Sequence, residues 1–488
     1  MRKAEDTVEH YQSLYIGGTW RPAESGRTHP VINPYTEQVI TNIPAAEAAD
    51  IDQAVAAATE ALPSWRQTAV GTRIELLRRI AEILAERTDT IAEIVSADLG
   101  VPLAEAKSTQ VGYPLRTLAG FISAAATVPW QERVGTSVVV QEPIGVVGAI
   151  TPWNHPLQQA IAKVGAALVA GCTVVLKPSE FASLGVFELT EAIHRAGVPA
   201  GVFNLLTGPG SVAGSALVEH DQVSMVSFTG STTVGRRIAT AAAATLKPVS
   251  LELGGKSPSV VLDDADLETA VTATAARCFG NSGQTCAALT RLLVPRARLG
   301  EAEEYAKAAA DKLVLGDPMD ARTTTGPLVS ASQQARVRAF IESGSAEGAR
   351  LITGGLGAPI PDRGFFVAPT VFSDVTSEMT IARNEIFGPV LSILPYDSET
   401  EAMRIANDTP YGLNAAVWSA SAERAAAFAS HIESGLVGIN GGRVNLNAPF
   451  GGYKQSGFGR EFGAAGIHEF LHTKCVNFTI PDGYWPPA

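Results

Sequence analysis

From residue 145 onward the chain alternates short apolar runs with longer amphipathic stretches. The runs fall at 146–150, 173–177, 202–206, 223–228 and 249–253. Between them lie stretches of helical periodicity at 156–170, 182–196, 211–219 and 232–244. Strand, helix and strand repeated in this way predict a parallel sheet with helices on both faces. A second alternating block follows. Strands are predicted at 259–262, 289–294, 366–372, 390–395, 415–418 and 437–439, with helices at 267–279, 301–313, 330–347, 400–407 and 422–432. This reads as a second α/β domain.

The N-terminal third reads as mainly helical. Ile74, Leu77, Ile80, Ile83 and Leu84 recur at three- and four-residue spacing, which predicts an amphipathic helix over 70–87, with others over 45–62 and 91–99. Two pieces fit neither sheet. Residues 134–141 and 474–480 are rich in β-branched positions and read as exposed strands that pair with another subunit, or as plain surface hairpins. No solenoid-length repeat and no low-complexity segment interrupts the pattern.

Composition narrows the class. The hydrophobic fraction of 46% supplies a large core, and only 18% charged residues excludes a disordered polyelectrolyte. A net charge of −12 argues against nucleic acid as a partner, because such binding relies on neutralising phosphates. The first twenty residues lack an apolar core, so no signal peptide is expected. The longest charge-free run, 143–162, holds prolines, Asn154, His155, Gln158 and Gln159 and does not read as a membrane span. The four cysteines, Cys172, Cys278, Cys286 and Cys475, form no CxxC pair, which argues against a zinc knuckle or a redox pair, and no metal site is expected. A reducing cytoplasm is the expected compartment.

Several short motifs carry chemistry. In NSGQTC, Cys286 follows glycine and small polar residues in a loop, where a thiol serves as a nucleophile if its pKa is lowered. Cys172, Cys278 and Cys475 read as ordinary packing or surface residues. In LELGGK, Glu252 sits between two leucines at the end of a predicted strand. That placement suits a general base with a raised pKa, or else an edge charge facing water. In TPWNHP, Asn154 offers amide donors to a developing oxyanion, or shapes a turn. FTGST ends a strand and opens a helix, which is either a phosphate site or a plain cap. KPSE, with Lys177, Ser179 and Glu180, suits a ribose or a helix start. The run GPGSVAG, with Gly210 and Gly214, has glycine-fingerprint character but the spacing GxGxxxG.

Taken together and in order, PWN at 152–154, KPSE at 177–180, FTGST at 228–232, LELGGK at 251–256, NSGQTC at 281–286, EIFGPV at 385–390 and PFGGYKQSGFGRE at 449–461 resemble the NAD(P)-dependent aldehyde dehydrogenases, across nearly the whole chain. The resemblance implies an α/β fold with two Rossmann-like domains and a small β oligomerisation element. Residues 1–127 and 143–252 would form the NAD-binding domain, 253–465 the catalytic domain, and 128–142 with 466–488 the oligomerisation element of a homodimer or homotetramer.

The resemblance also implies roles. Cys286 matches the nucleophile, Asn154 and the Cys286 amide the oxyanion site, and Glu252 the base for deacylation. Lys163 and Glu461 match a proton path. Cofactor contacts are implied at Ile150, Thr151, Pro152, Trp153, Lys177, Ser179, Glu180, Gly210, Gly214, Phe228, Thr229, Gly230, Ser231, Leu253, Gly254, Glu385 and Phe387. A carboxylate at Glu180 repels a 2′-phosphate and favours NAD, while Lys177 softens that repulsion and leaves NADP open. A base at Glu252 favours hydrolysis over acyl transfer to coenzyme A. The tunnel wall is expected from His155, Leu157, Ala162, Thr285 and Phe450, with Ala162 widening it. Two rival expectations stand beside this: a catalytically idle protein of the same fold, and a thiol acyltransferase or esterase.

Overall fold

The computed structural model describes residues 10–479 and Trp485. Residues 1–9, at the start of the expected NAD-binding segment, and most of 480–488, at the end of the expected oligomerisation element, lie outside them.

Two large sheets organise the chain. The first has eight strands in the order Thr19–Arg21, Leu14–Ile16, Phe203–Leu205, Thr173–Pro178, Val146–Thr151, Met225–Thr229, Val249–Glu252 and Gly457–Phe458. Its five central strands are parallel, and the outer pairings are antiparallel. Val146–Thr151 and Thr173–Pro178 are buried at every position, as expected of strands covered on both faces. The helix Pro156–Ala170 between them is also buried at all fifteen positions. Its sequence is mostly apolar, Gln158, Gln159 and Lys163 being the buried polar exceptions; Pro156 opens it, and Gly171 closes it at φ 94°.

The chain runs outward from Val146–Thr151 through two strands, then returns to place Met225–Thr229 on the other side. The order of crossover reverses there. The loops after these two strands therefore diverge and leave a crevice at their carboxyl ends.

The second sheet has seven strands in the order Arg350–Thr353, Thr370–Ser373, Val390–Tyr396, Leu289–Pro295, Ser257–Val261, Asn414–Trp418 and Leu436–Ile439. All pairings are parallel except at the Arg350–Thr353 edge. Only residues 253–256 separate the last central strand of the first sheet from Ser257–Val261 of the second. Both sheets thus converge on one short connection.

The predicted strands and helices of both blocks occur close to their expected bounds; the helix Leu267–Phe279 matches at both ends. Two differences have physical causes. The N-terminal third is not mainly helical before residue 48: it opens with Leu14–Ile16, Thr19–Arg21, Thr28–Ile32 and Val39–Pro44. Such three- to six-residue strands are too short to display a period. The predicted helix 211–219 begins as a π turn over Gly210–Gly214, where two glycines relax the backbone. The orphan segments pair with each other inside one chain. Leu471–Asn477 runs antiparallel to Ser137–Pro143, which pairs in turn with Gln131–Val134. No helix among the described residues is long and apolar enough to cross a membrane.

Candidate active site

The loop that carries Cys286 is built from backbone strain and the bonds that offset it. After the helix Leu267–Phe279, Asn281, Ser282 and Gly283 adopt φ of 51°, 55° and 73°. Left-handed geometry costs a non-glycine residue roughly 1–2 kcal/mol. Here the turn is held from several sides. The Glu105 carboxylate accepts from the Asn281 amide at 2.9 Å, and Ser282 Oγ donates to the Gly326 carbonyl at 2.8 Å. Gln284 Oε1 accepts from the Val329 amide at 3.0 Å. A side chain at Gly283 would collide with the Gly388 carbonyl, so only glycine fits there.

Cys286 stands at the junction of two clefts. One, of about 460 Å³, runs past Trp153, Asn154, Gly230, Leu253 and Glu385. The other, of about 910 Å³, runs past His155, Thr285, Phe450 and Phe462. The Cys286 side chain borders both. Burial, with carboxylates at Glu385, Glu252 and Glu461, pushes its pKa up to about 12, and the Ala287 amide pulls the other way.

Asn154 is buried at the carboxyl end of its strand. Its backbone carbonyl accepts from Gln110 Nε2 at 3.1 Å and Asn281 Nδ2 at 3.0 Å. Its own Nδ2 gives one hydrogen to the Gln284 carbonyl at 3.0 Å. The backbone at Asn154 is thereby held and the bond to Gln284 orients the carboxamide, whose Nδ2 keeps a second donor at a wall shared with Cys286.

Glu252 does not face water. It is 3% exposed, and neither carboxylate oxygen has a hydrogen-bond partner among the described residues. Burial raises its pKa well above the ordinary carboxyl value, Glu461 adds to the rise, and Lys163 opposes it. Orphaned buried carboxylates are rare and mark candidate sites. Lys163 Nζ donates to Glu461 Oε1 at 2.5 Å and to Thr229 Oγ1 at 2.7 Å.

The smaller cleft suits a dinucleotide. Ser231 Oγ caps the helix Thr232–Ala243, whose first amides lack helical carbonyl partners and point their dipole outward. Gly230 brings the backbone against the Phe228 ring, and Gly254 makes room for Glu385. Burial pushes the Glu385 carboxyl up to about 7, while the Gly255 amide donates to it at 3.0 Å. The Trp153 and Phe387 rings meet edge-on at 5.3 Å. Farther along the first sheet, Lys177 Nζ is buried and lies 3.4 Å from Glu180. A side chain at Gly210 would come 3.5 Å from Lys177 Nζ, and one at Gly214 would come 3.9 Å from Ile150. Thr151 and Pro152 continue the strand end beside Lys177 and Pro178. Ser179 Oγ accepts from the Phe181 amide at 3.2 Å and shapes the turn.

The model of the aldehyde dehydrogenase family matches residues 20–476. The chain belongs to the aldehyde dehydrogenase family. A 3-succinoylsemialdehyde-pyridine dehydrogenase from Pseudomonas sp is 46% identical over 476 residues, covering 96% of this chain and 99% of that protein. The geranial dehydrogenase of Castellaniella defragrans is 42% identical over 96% of this chain and 99% of its own length. Among solved structures, a mutant of aldehyde dehydrogenase C from Pseudomonas syringae, in complex with NAD+ and octanal, is 44% identical with a TM-score of 0.95, over 96% of this chain and 97% of that one.

In this aldehyde dehydrogenase, sequence reasoning missed the residues that act at one remove. Glu105 and Gln110 come from a helical segment far from any motif. Gln333 and Arg336, three apart on the helix Ala331–Ala346, hold the carbonyls of Phe387 and Glu385, each at 2.8 Å. Of the expected tunnel wall, His155, Thr285 and Phe450 line the larger cleft. Leu157 does not; it is fully buried in the main core. Ala162 is also buried and packs with Phe450, Phe462 and Cys286. Three arginines in that cleft, Arg116, Arg277 and Arg443, had no motif to announce them.

Proposed function

We propose that the chain oxidises an aldehyde to the carboxylic acid, with NAD as hydride acceptor and Cys286 as the covalent catalyst. The observation that carries this reading is the position of one thiol at the meeting point of two clefts, beside an anchored carboxamide and a buried, unpartnered carboxylate.

Burial and the nearby carboxylates raise the Cys286 pKa, so a base must take the thiol proton before attack. Glu252 is the buried carboxylate whose raised pKa suits that transfer. The sulfur then bonds to the aldehyde carbon, and the carbonyl electron pair moves to oxygen. Asn154 Nδ2 and the Cys286 amide donate to that oxyanion; one such donor contributes about 2.7–4 kcal/mol to barrier reduction. NAD bound in the smaller cleft supplies the hydride acceptor. Loss of hydride leaves a thioester on Cys286. Glu252 takes a proton from water, whose oxygen attacks the thioester carbon and expels the thiolate. Lys163 and Glu461 provide a path for the proton that Glu252 must shed.

The pyrophosphate would rest on the amides after Gly230 and Ser231. Lys177 and Glu180 would hold the adenosine ribose, and Glu385 and Phe387 the nicotinamide ribose. Glu180 disfavours the extra phosphate of NADP, and Glu252 favours hydrolysis over transfer to coenzyme A. Residues 1–127 with 143–252 would carry the cofactor and 253–465 the thiol. The three-stranded sheet would serve a cytoplasmic homodimer or homotetramer. Cys286→Ser should abolish NADH formation from aldehydes while NAD binding by calorimetry persists; full turnover by the variant would refute the assignment.

A further inference from the structure

We propose that the larger cleft selects aldehydes whose far end carries a carboxylate, held by Arg116, Arg277 and Arg443. The proposal deepens the aldehyde-oxidation reading above and rests on it.

The three arginines come from separate parts of the fold. Arg116 lies on the helix Gly112–Ala125, Arg277 in the last turn of the helix Leu267–Phe279, and Arg443 in the loop after the strand Leu436–Ile439. All three line the cleft that ends at Cys286. Arg116 and Arg443 are exposed, whereas Cys286 packs against buried Phe450 and Phe462. Arg116 and Arg443 therefore lie at the solvent end, Arg277 is half-buried, and the thiol lies at the inner end. Ala119, Ala273, Val444 and Leu446 add apolar surface to the lining, beside the polar Gln158, Gln159, Asn445 and Asn447.

Their charge is not spent elsewhere. Among the described residues none of the three forms an ion pair. Arg277 Nη1 donates to the Gly442 carbonyl, at 3.2 Å, and Arg116 stacks over the Tyr113 ring at 4.6 Å. Among the described residues no Asp or Glu lines the cleft, and burial lowers the His155 pKa to about 4. Burial and the like charge of Arg443 both lower the Arg277 pKa, which places the two guanidiniums within each other's field. Three converging cations on a protein of net charge −12 are a local exception. Guanidinium forks match a carboxylate in two parallel hydrogen bonds, and an anion there relieves the repulsion between Arg277 and Arg443.

The test uses aldehydes matched in length: hexanal with 6-oxohexanoate, octanal with 8-oxooctanoate and decanal with 10-oxodecanoate. NADH formation gives kcat/KM for each. The acid-tailed partner should exceed the neutral one by about tenfold or more in at least one pair, and that ratio should shrink with added salt. Arg277→Gln and Arg443→Gln should each cut the ratio several-fold, with Arg277→Lys retaining part of it. As a readout independent of turnover, octanedioate should protect Cys286 from iodoacetamide better than octanoate does in the parent protein, and lose that advantage in the variants. Ratios at or below one in every pair, or a preference that survives replacement of all three arginines, would overturn the proposal. If no aldehyde of either kind yields NADH, it is the aldehyde-oxidation reading that fails.

Discussion

Replacing Glu461 by glutamine tests the electrostatic design around the proposed base. Glu461 is the largest charge contribution raising the Glu252 pKa, second only to burial itself, and Lys163 opposes both. At an effective dielectric of about 20, a unit charge on the order of 6–15 Å away is worth about 1–3 kcal/mol. Removing that charge should therefore lower the Glu252 pKa. In the variant, Thr229 Oγ1 and the new amide oxygen both remain available to accept from Lys163. Glutamine is preferred to leucine for this reason: stripping the acceptor from a buried cation costs about 3–5 kcal/mol. A base acts only when ionised, so deacylation is present above its pKa and lost as pH falls through it. The acid limb of the single-turnover deacylation rate should therefore move to lower pH in Glu461→Gln. A limb that stays in place, or moves to higher pH, would show that Glu461 does not set the state of the base.

Two further changes probe the frame of the site. Gly283→Ala places a methyl against the Gly388 carbonyl at a residue with φ 73°, so the Cys286 loop must shift. Activity should fall by at least an order of magnitude and Tm should drop by several degrees; unchanged values for both would refute the claim that this turn seats the thiol. Asp98, buried, accepts from the Leu184 amide at 2.8 Å, and burial raises its pKa to about 8. An unfolded aspartate ionises near 3.9, so folding takes up a proton between about pH 4 and 8 and stability from this group declines across that window. Asp98→Asn should therefore gain Tm relative to the parent as pH rises from 5 to 8, and a constant difference would contradict the assignment.

The central strands were legible because parallel strands covered on both faces read as continuous apolar runs, as Val146–Thr151 and Thr173–Pro178 do. Cys286, Glu252 and Asn154 were legible because they sit in motifs at strand ends and in a glycine-bearing loop. The short N-terminal strands lacked enough residues for a period to appear. Glu105, Gln333 and Arg336 were invisible for another reason. Each acts on the backbone of a loop distant in sequence, and a bond to a backbone group leaves no pattern in residue identity. The three arginines of the larger cleft converge only after folding, from positions 116, 277 and 443.

The central claim is that one sulfur carries the acyl group until water, activated by Glu252, removes it. Intact-protein and peptide mass spectrometry of Glu252→Gln after exposure to octanal and NAD tests it most directly. The account predicts an octanoyl adduct on the peptide bearing Cys286, formed with stoichiometric NADH and released slowly. Normal steady turnover with no adduct on that peptide would contradict it.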